Sequence, residues 1–277
     1  MRPPRSGAGW LAANLDGTAL TAWEMTGGPA RKLLLPDSSP AALAAGLRQL
    51  LGGRAGPVVL GGSALAAPHP VPVLPAELPL SETLLEGLKV CALPGLCQAA
   101  PCGVMQGAVA RLGGFLRLNP DWDGVVCLPG AVTHWVQVSA REAVSFQSTL
   151  TAQLARAAAQ AMGLEAVGDW DRTAQAEAVA DGISRPEQTA ARLASVQAAA
   201  ALGHMPADAA RARLWGLLLG AELAAARPYW LGQNLALIAD APLQALYAAA
   251  LDAQALPVTL ADPTRMTLEG LTRAWAG

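Results

Sequence analysis

Charge is scarce in this sequence. Asp, Glu, Lys and Arg make up 14% of the 277 residues, and the net charge is −2. General nucleic-acid binding, or attraction to an acidic membrane surface, needs a basic face. The sequence offers none, and no basic patch carries interleaved aromatics. Aromatics are few: two Phe, two Tyr and eight Trp. The four Cys (Cys91, Cys97, Cys102, Cys127) lack metal-site spacing, and His69, His134 and His204 are scattered. No metal site is therefore predicted, and the thiols are expected to be free and buried. There is no Gly-Lys-Ser/Thr phosphate loop, and Ser63 after Gly61-Gly62 lacks the context of a nucleophile elbow. The most apolar helix candidate, Leu214 to Ala226, is too short to span a bilayer and carries Glu222. Met1 to Gly9 holds two Arg with no apolar run after it, which predicts no signal peptide. A soluble cytoplasmic protein is the expectation.

What is present is apolar: 53% of residues, much of it Ala, enough to bury a sizeable core. Leu11 to Asn14 and Ala19 to Met25 read as strands around an Asp16-Gly17 hairpin turn. Ser39-Pro40 opens a helix to about Leu51, with Ser39 as N-cap. Val58 to Leu60 is a short buried strand, and five Pro between Ala66 and Pro79 enforce extended chain. Ser81 to Leu88 reads as a capped helix. Val104 to Leu118 reads as a longer one, in which Gly107, Gly113 and Gly114 mark close packing.

The polar cluster Asn119 to Gly124 is the expected break between domains at 1–120 and 121–277. Beyond it come strands at Val125 to Leu128, Trp135 to Val138 and Ala143 to Phe146. Helices follow at Thr149 to Met162, Arg172 to Ala180, Glu187 to Leu202, Ala207 to Ala226, Pro242 to Ala253 and Met266 to Ala276. Leu235 to Ile238 adds a strand, and Val258 to Leu260 is a further candidate. Strands followed by helices in each half indicate an α/β or α+β layering.

The most informative stretch is Val125 to Val138, a hairpin whose Pro129-Gly130-Ala131-Val132-Thr133-His134 turn brings backbone N–H groups toward an anion. It resembles the second phosphate-binding turn, L-P-G-T-H-S-K-W-V, of the 2-keto-3-deoxygalactonokinases. Trp10 to Trp23 resembles that family's opening hairpin. Pro101 to Leu116 is similar to its D-V-M-R-G-E-E-T-Q-I-L-G helix, and Phe146 to Leu154 to F-R-T-F-M-T-G-E-L. Trp215 to Glu222 is similar to G-L-L-I-G-A-E, and Leu235 to Leu251 to the closing strand, turn and helix. The resemblance implies an α/β fold of two actin-like, hexokinase-like (ribonuclease H-like) domains. It also implies transfer of the γ-phosphoryl of ATP, with Mg²⁺, to the 6-hydroxyl of 2-dehydro-3-deoxy-galactonate. The implied partner is a small sugar acid, with no nucleic acid and no membrane. The lightly charged composition leaves self-association open.

Residue by residue, the resemblance gives a depleted set. Asn14 stands where the family has the Asp of its first phosphate turn. Asp16 supplies a carboxylate for catalysis if that turn is re-registered, against the plainer reading of an ordinary Asp-Gly hairpin. Gly17 and Thr18, with Gly130 and Thr133, fall at the nucleotide-binding positions. Gln106, Gly107 and Thr151 fall at substrate positions, with Gly103, Gln106 and Ala108 replacing Asp, Arg and Glu. Arg111 either holds the substrate carboxylate or is an exposed helix Arg. Ala131, Val132 and His134 replace Thr, His and Lys, and Gln153 replaces Glu. Glu222 in an apolar helix requires a partner. Two functions follow: a kinase with relocated catalytic groups, or a degenerate relative, without need of cofactor, that binds a sugar acid or a protein. The first expects Asp16, Gly130, Thr133 and Arg111 around one cleft. The second expects a cleft narrowed by Val132 or Ala239.

Overall fold

In the computed structural model, which describes residues 9–54, 56–165 and 169–277, the chain forms two α/β halves built on one plan. The first half opens with β1 (Leu11–Asp16), β2 (Ala19–Glu24) and β3 (Arg31–Leu34), an antiparallel meander. Helix α1 (Pro40–Leu51) follows, capped by Ser39, whose hydroxyl accepts the Ala42 N–H at 3.2 Å. It returns the chain to β4 (Val58–Gly61), parallel to β1. After the Pro-rich stretch, with β5 (His69–Pro70), come β6 (Ser81–Leu85) and β7 (Leu88–Ala92). The sheet order is β3-β2-β1-β4-β7-β6. A short hairpin, β8 (Leu96–Gln98) and β9 (Gly103–Met105), joins β5 in a small sheet and leads into α2 (Val109–Leu118).

The second half repeats the plan. Strands β10 (Gly124–Leu128), β11 (Thr133–Ser139) and β12 (Glu142–Thr149) form the meander. Four longer helices follow: α3 (Thr151–Ala161), α4 (Arg172–Ser184), α5 (Thr189–Ala201) and α6 (Ala207–Ala225). The short α7 (Arg227–Trp230) precedes β13 (Leu235–Leu237), then α8 (Ala241–Asp252), β14 (Val258–Leu260) and α9 (Pro263–Ala276). The order β12-β11-β10-β13-β14, with β13 and β14 parallel to β10, matches β3-β2-β1-β4-β7 of the first sheet. The turns β1–β2 and β10–β11 are thus equivalent positions in the two halves.

Period-two alternation decides what faces what. In β1, Leu11, Ala13 and Leu15 join Leu43 and Leu47 of α1 in one cluster. Ala12 joins the central cluster, where α2 and α9 lie between Val59 of one sheet and Val126, Val136 and Ala236 of the other. Asn14 and Asp16 continue that central face toward the cleft. The outer face of the second sheet, with Val125, Cys127 and Trp135, packs on α6, α7 and α8. Helices α2 and α9 approach to backbone contact, as the glycines predict. A Cβ on Gly114 would stand 2.8 Å from the Gly270 nitrogen, and one on Gly270 3.1 Å from the Ala110 Cα.

Three local readings change. Ser81 to Leu88 is not a helix but the β6–β7 hairpin, turned by Glu86 and Gly87, both at positive φ (51° and 81°). A two-residue turn of that hand matches strand twist. Gly103 to Met105 is strand, and the helix expected from Val104 begins at Val109. Only Cys91 and Cys127 are buried thiols: Cys97 is partly exposed and Cys102 exposed, though none of the four is in a disulfide. The N-terminal reading of no signal peptide falls largely on residues 1–8, outside the described residues. Among the described residues, no helix is long and apolar enough to cross a membrane.

Candidate active site

The two equivalent hairpin turns meet at the wall of a cleft of about 420 Å³. That volume lies in the range of small-molecule sites. Its walls include Asp16, Gly17, Gln106, Gly107, Arg111 and Gly130. Six of the nine residues proposed from sequence therefore meet in one place. Thr18, Thr133 and Thr151 do not line it. A smaller space of about 100 Å³, lined by Asn14, Thr21, Lys32, Asp240 and Thr264 among others, shares Asp16 and Arg111 with the cleft.

Arg111 is not the exposed helix Arg of the plainer reading. It is 8% exposed. Its Nη1 donates to the carbonyl oxygens of Pro129 and Ile238, each at 3.4 Å, so it spans from α2 to the ends of β10 and β13. No carboxylate pairs with it among the described residues, and its Nε has no partner. Such a guanidinium carries its charge into the cleft largely uncompensated. The α2 N-terminus adds to it, since Ala108 provides no side-chain cap and Gly107 and Ala108 lie on the wall.

Asn14 is buried, and its Nδ2 donates to the Gly107 carbonyl at 3.0 Å, while its Oδ1 has no partner. It ties β1 to the start of α2. Asp16 Oδ1 accepts the Ala131 N–H at 3.0 Å, one turn binding the other. His134 lies on the cleft wall, 4% exposed, with Nδ1 at 2.8 Å from the Ser148 hydroxyl. Burial, and then the charge of Arg111, pull its pKa down to about 4, so it is neutral near pH 7. It adds no positive charge where the resemblance has Lys.

Thr133 and Thr151 sit beneath the turn, in a network around Glu222. Glu222, 4% exposed, accepts from Trp135 Nε1 at 2.9 Å, from Tyr247 OH at 2.9 Å and from the Thr151 hydroxyl. Thr133 donates in turn to the Tyr247 oxygen at 2.8 Å. Burial raises the Glu222 pKa, and these hydrogen bonds oppose the rise. Glu222 thus finds the partners its apolar helix demands, all of them uncharged. Alternation explains the orientation: Trp135 is core on the α6 side, so Thr133 must point there too, leaving His134 toward the cleft.

Ser63, set aside from sequence as a nucleophile, is a wall residue. It is 3% exposed and its Oγ has no partner. The available signal was Gly61-Gly62: Gly62 has φ +83°, and a Cβ there would lie 3.1 Å from the Gly107 Cα. Such a close crossing needs glycine and delivers Ser63 to the cleft. Of the two narrowing residues, Val132 lines the cleft and Ala239 does not.

No group of three or more His, Cys, Asp or Glu fit to hold a metal occurs among the described residues. Asp16 is the one carboxylate on the cleft wall. One carboxylate suits Mg²⁺ that arrives on a nucleotide, because that ion takes most of its ligands from phosphate and water.

Two α/β halves of matching topology, with hairpin turns meeting at a cleft, define the actin-like class of ATPases and kinases. A solved structure of that class, the activator of 2-hydroxyisocaproyl-CoA dehydratase from Clostridium difficile with bound ADPNP, superposes with a TM-score of 0.55 at 8% identity. It covers 96% of this chain and 92% of its own. A Sinorhizobium meliloti structure described as a candidate 2-dehydro-3-deoxygalactonokinase reaches a TM-score of 0.84 at 23% identity, covering 96% of this chain and 95% of its own. The sequence model of the 2-keto-3-deoxy-galactonokinase family matches residues 28–274, and the chain belongs to that family. The Escherichia coli (strain K12) 2-dehydro-3-deoxygalactonokinase is 30% identical over 179 residues, which are 62% of this chain and 60% of that protein. The match thus spans less than two thirds of that relative's length.

Proposed function

We propose that this protein is a sugar-acid phosphotransferase, passing the γ-phosphoryl of ATP to the 6-hydroxyl of 2-dehydro-3-deoxygalactonate or a close analogue. One observation carries the reading. Two buried polar groups on the cleft wall, Arg111 Nε and Ser63 Oγ, lack partners among the described residues. Buried polar groups are nearly always satisfied, and both residues line the cleft, so a polar occupant that reaches them on binding would complete them. A guanidinium with a spare N–H suits a carboxylate, and a spare hydroxyl suits a polyol.

In this reading Arg111, with Gln106 and Gly107, holds the sugar acid. Gly17 and Gly130 border the donor phosphates, whose contacts come from backbone N–H groups. Asp16 faces the Mg²⁺ carried by ATP, which would neutralise charge on the phosphate oxygens. Thr133 and Thr151 brace the turn from below. The lobes are taken as 1–120 and 121–277, with α9 folded back onto α2, and the setting as the cytoplasm.

A second reading, a binder without turnover, is favoured by Asn14 and Ala108. Asn14 spends its amide on Gly107, and Ala108 has no group that moves a proton. Calorimetry with Mg-ATP, followed by a coupled ADP-release assay on the sugar acid, separates the two. Binding with turnover supports the kinase. Sugar-acid binding with no ADP release supports the second reading, and absent ATP binding at millimolar concentration ends the first.

A further inference from the structure

The turn that resembles a phosphate-binding element already holds an anion, and that anion is part of the chain. Asp16 Oδ1 accepts the Ala131 N–H at 3.0 Å. Its Oδ2 lies so close over Gly130 that a Cβ there would stand 2.5 Å away. A Cβ on Gly17 would be 2.9 Å from the Ala131 Cβ, so the two turns are in contact as well as hydrogen-bonded. A carboxylate over the backbone of a tight turn of small residues sits where a phosphoryl oxygen would.

Nothing else among the described residues holds that carboxylate. No basic side chain lies within ion-pair distance of Asp16 among the described residues. Arg111, which shares the cleft wall with it, directs its Nη1 to carbonyls instead. The contact between Asp16 and the turn is therefore a single charge-assisted hydrogen bond, strong enough to populate and weak enough to exchange.

We propose that Asp16 is an internal competitor for phosphoryl groups at the turn of residues 129–132, and so sets this chain's affinity for the phosphate donor. The proposal rests on the phosphotransferase reading of the cleft. A donor phosphate reaches the Ala131 N–H only after Asp16 has left it. While Asp16 stays, its negative charge repels a second anion at the same point. The consequence is weak, millimolar-range donor binding in the wild-type chain, and pyrophosphate binding that tightens when the carboxylate is removed.

The test measures affinity, apart from turnover. Pyrophosphate and Mg-ATP are titrated by calorimetry into the wild type, Asp16→Asn and Asp16→Ala, with melting curves confirming fold. Pyrophosphate is expected to bind Asp16→Ala on the order of tenfold more tightly than wild type, with Asp16→Asn between them. Equal or weaker binding to both variants, while the wild-type protein itself turns over the sugar acid, overturns the role of Asp16 and leaves the kinase reading standing. Failure of Mg-ATP to bind any of the three overturns both. Should a variant not fold, the Ala131 amide resonance of the wild-type chain decides. The proposal expects it unmoved by pyrophosphate below about 1 mM, and a shift at micromolar concentration overturns it.

Discussion

The Arg111 guanidinium reaches the carbonyl oxygen of Ile238 at 3.4 Å, linking α2 in one half to the end of β13 in the other. One side chain of the cleft wall therefore joins the halves while its buried Nε has no partner among the described residues. Arg111→Lys keeps the charge but loses the fork that serves two carbonyls and a carboxylate at once. Calorimetry should show sugar-acid affinity falling by about tenfold to a hundredfold in Arg111→Lys, and further in Arg111→Met. A variant that binds the acid as well as wild type would exclude Arg111 as its holder.

Glu222 is the second focus. Replacing it with Leu leaves the Trp135 N–H and the Tyr247 and Thr151 hydroxyls without their acceptor. The expected cost is about 3–5 kcal/mol in chemical denaturation. Glu222→Gln should cost far less, because the hydroxyls can rotate to serve an amide. The pH dependence has a definite sign. Burial raises the Glu222 pKa in the folded chain above the ordinary 4.5, so the folded state holds this proton more tightly than the unfolded state. That contribution to stability is complete below about pH 4.5 and is lost as pH rises through the higher folded value. Glu222→Gln should remove this loss, and denaturation curves from pH 4 to 8 would reveal it as a flatter profile.

His134 acts in the opposite direction. Its folded pKa of about 4 lies below the ordinary 6.5, so the unfolded chain takes up the proton first. The contribution is whole above about pH 6.5 and is lost as pH falls toward 4, by up to ~3 kcal/mol. His134→Asn, which keeps a polar partner for Ser148, should lessen the acid sensitivity in that window. An unchanged acid limb would show that His134 is not the group that titrates.

The α2–α9 crossing tolerates no side chain at its closest point. A Cβ on Gly270 meets the Ala110 backbone, which cannot rotate away. Gly270→Ala should destabilise by about 1–3 kcal/mol, although Ala is the better helix former. Because α9 closes the core between the two sheets, thermal melting should show one lowered transition.

Much of this was legible in sequence, for identifiable reasons. Alternation and caps located β1, β2 and α1, and the glycines of α2 announced its close crossing. The hairpin at Ser81 to Ala92 was missed because Ser-Glu-Thr-Leu-Leu imitates a capped helix start, while the deciding feature, a turn at Glu86-Gly87, lay at its far end. The shared plan of the halves left no repeat in the sequence, since strand order depends on pairing and not on identity. Asp16, Arg111 and Gly130 could be nominated from the resemblance of their segments to the family's motifs. That Thr133 and Thr151 serve Glu222 follows only once Trp135 is known to face α6. Ser63 was hidden because an orphaned hydroxyl is a fact of burial, invisible in a string of letters.

The most direct test is release of ADP by the wild-type protein with 2-dehydro-3-deoxygalactonate and Mg-ATP, as both are varied. The account predicts saturable, acid-dependent ADP formation with a millimolar KM for ATP and loss of sugar-acid saturation in Arg111→Met. No ADP above the buffer rate at any ATP concentration, from a protein that is folded and binds the sugar acid, would contradict it.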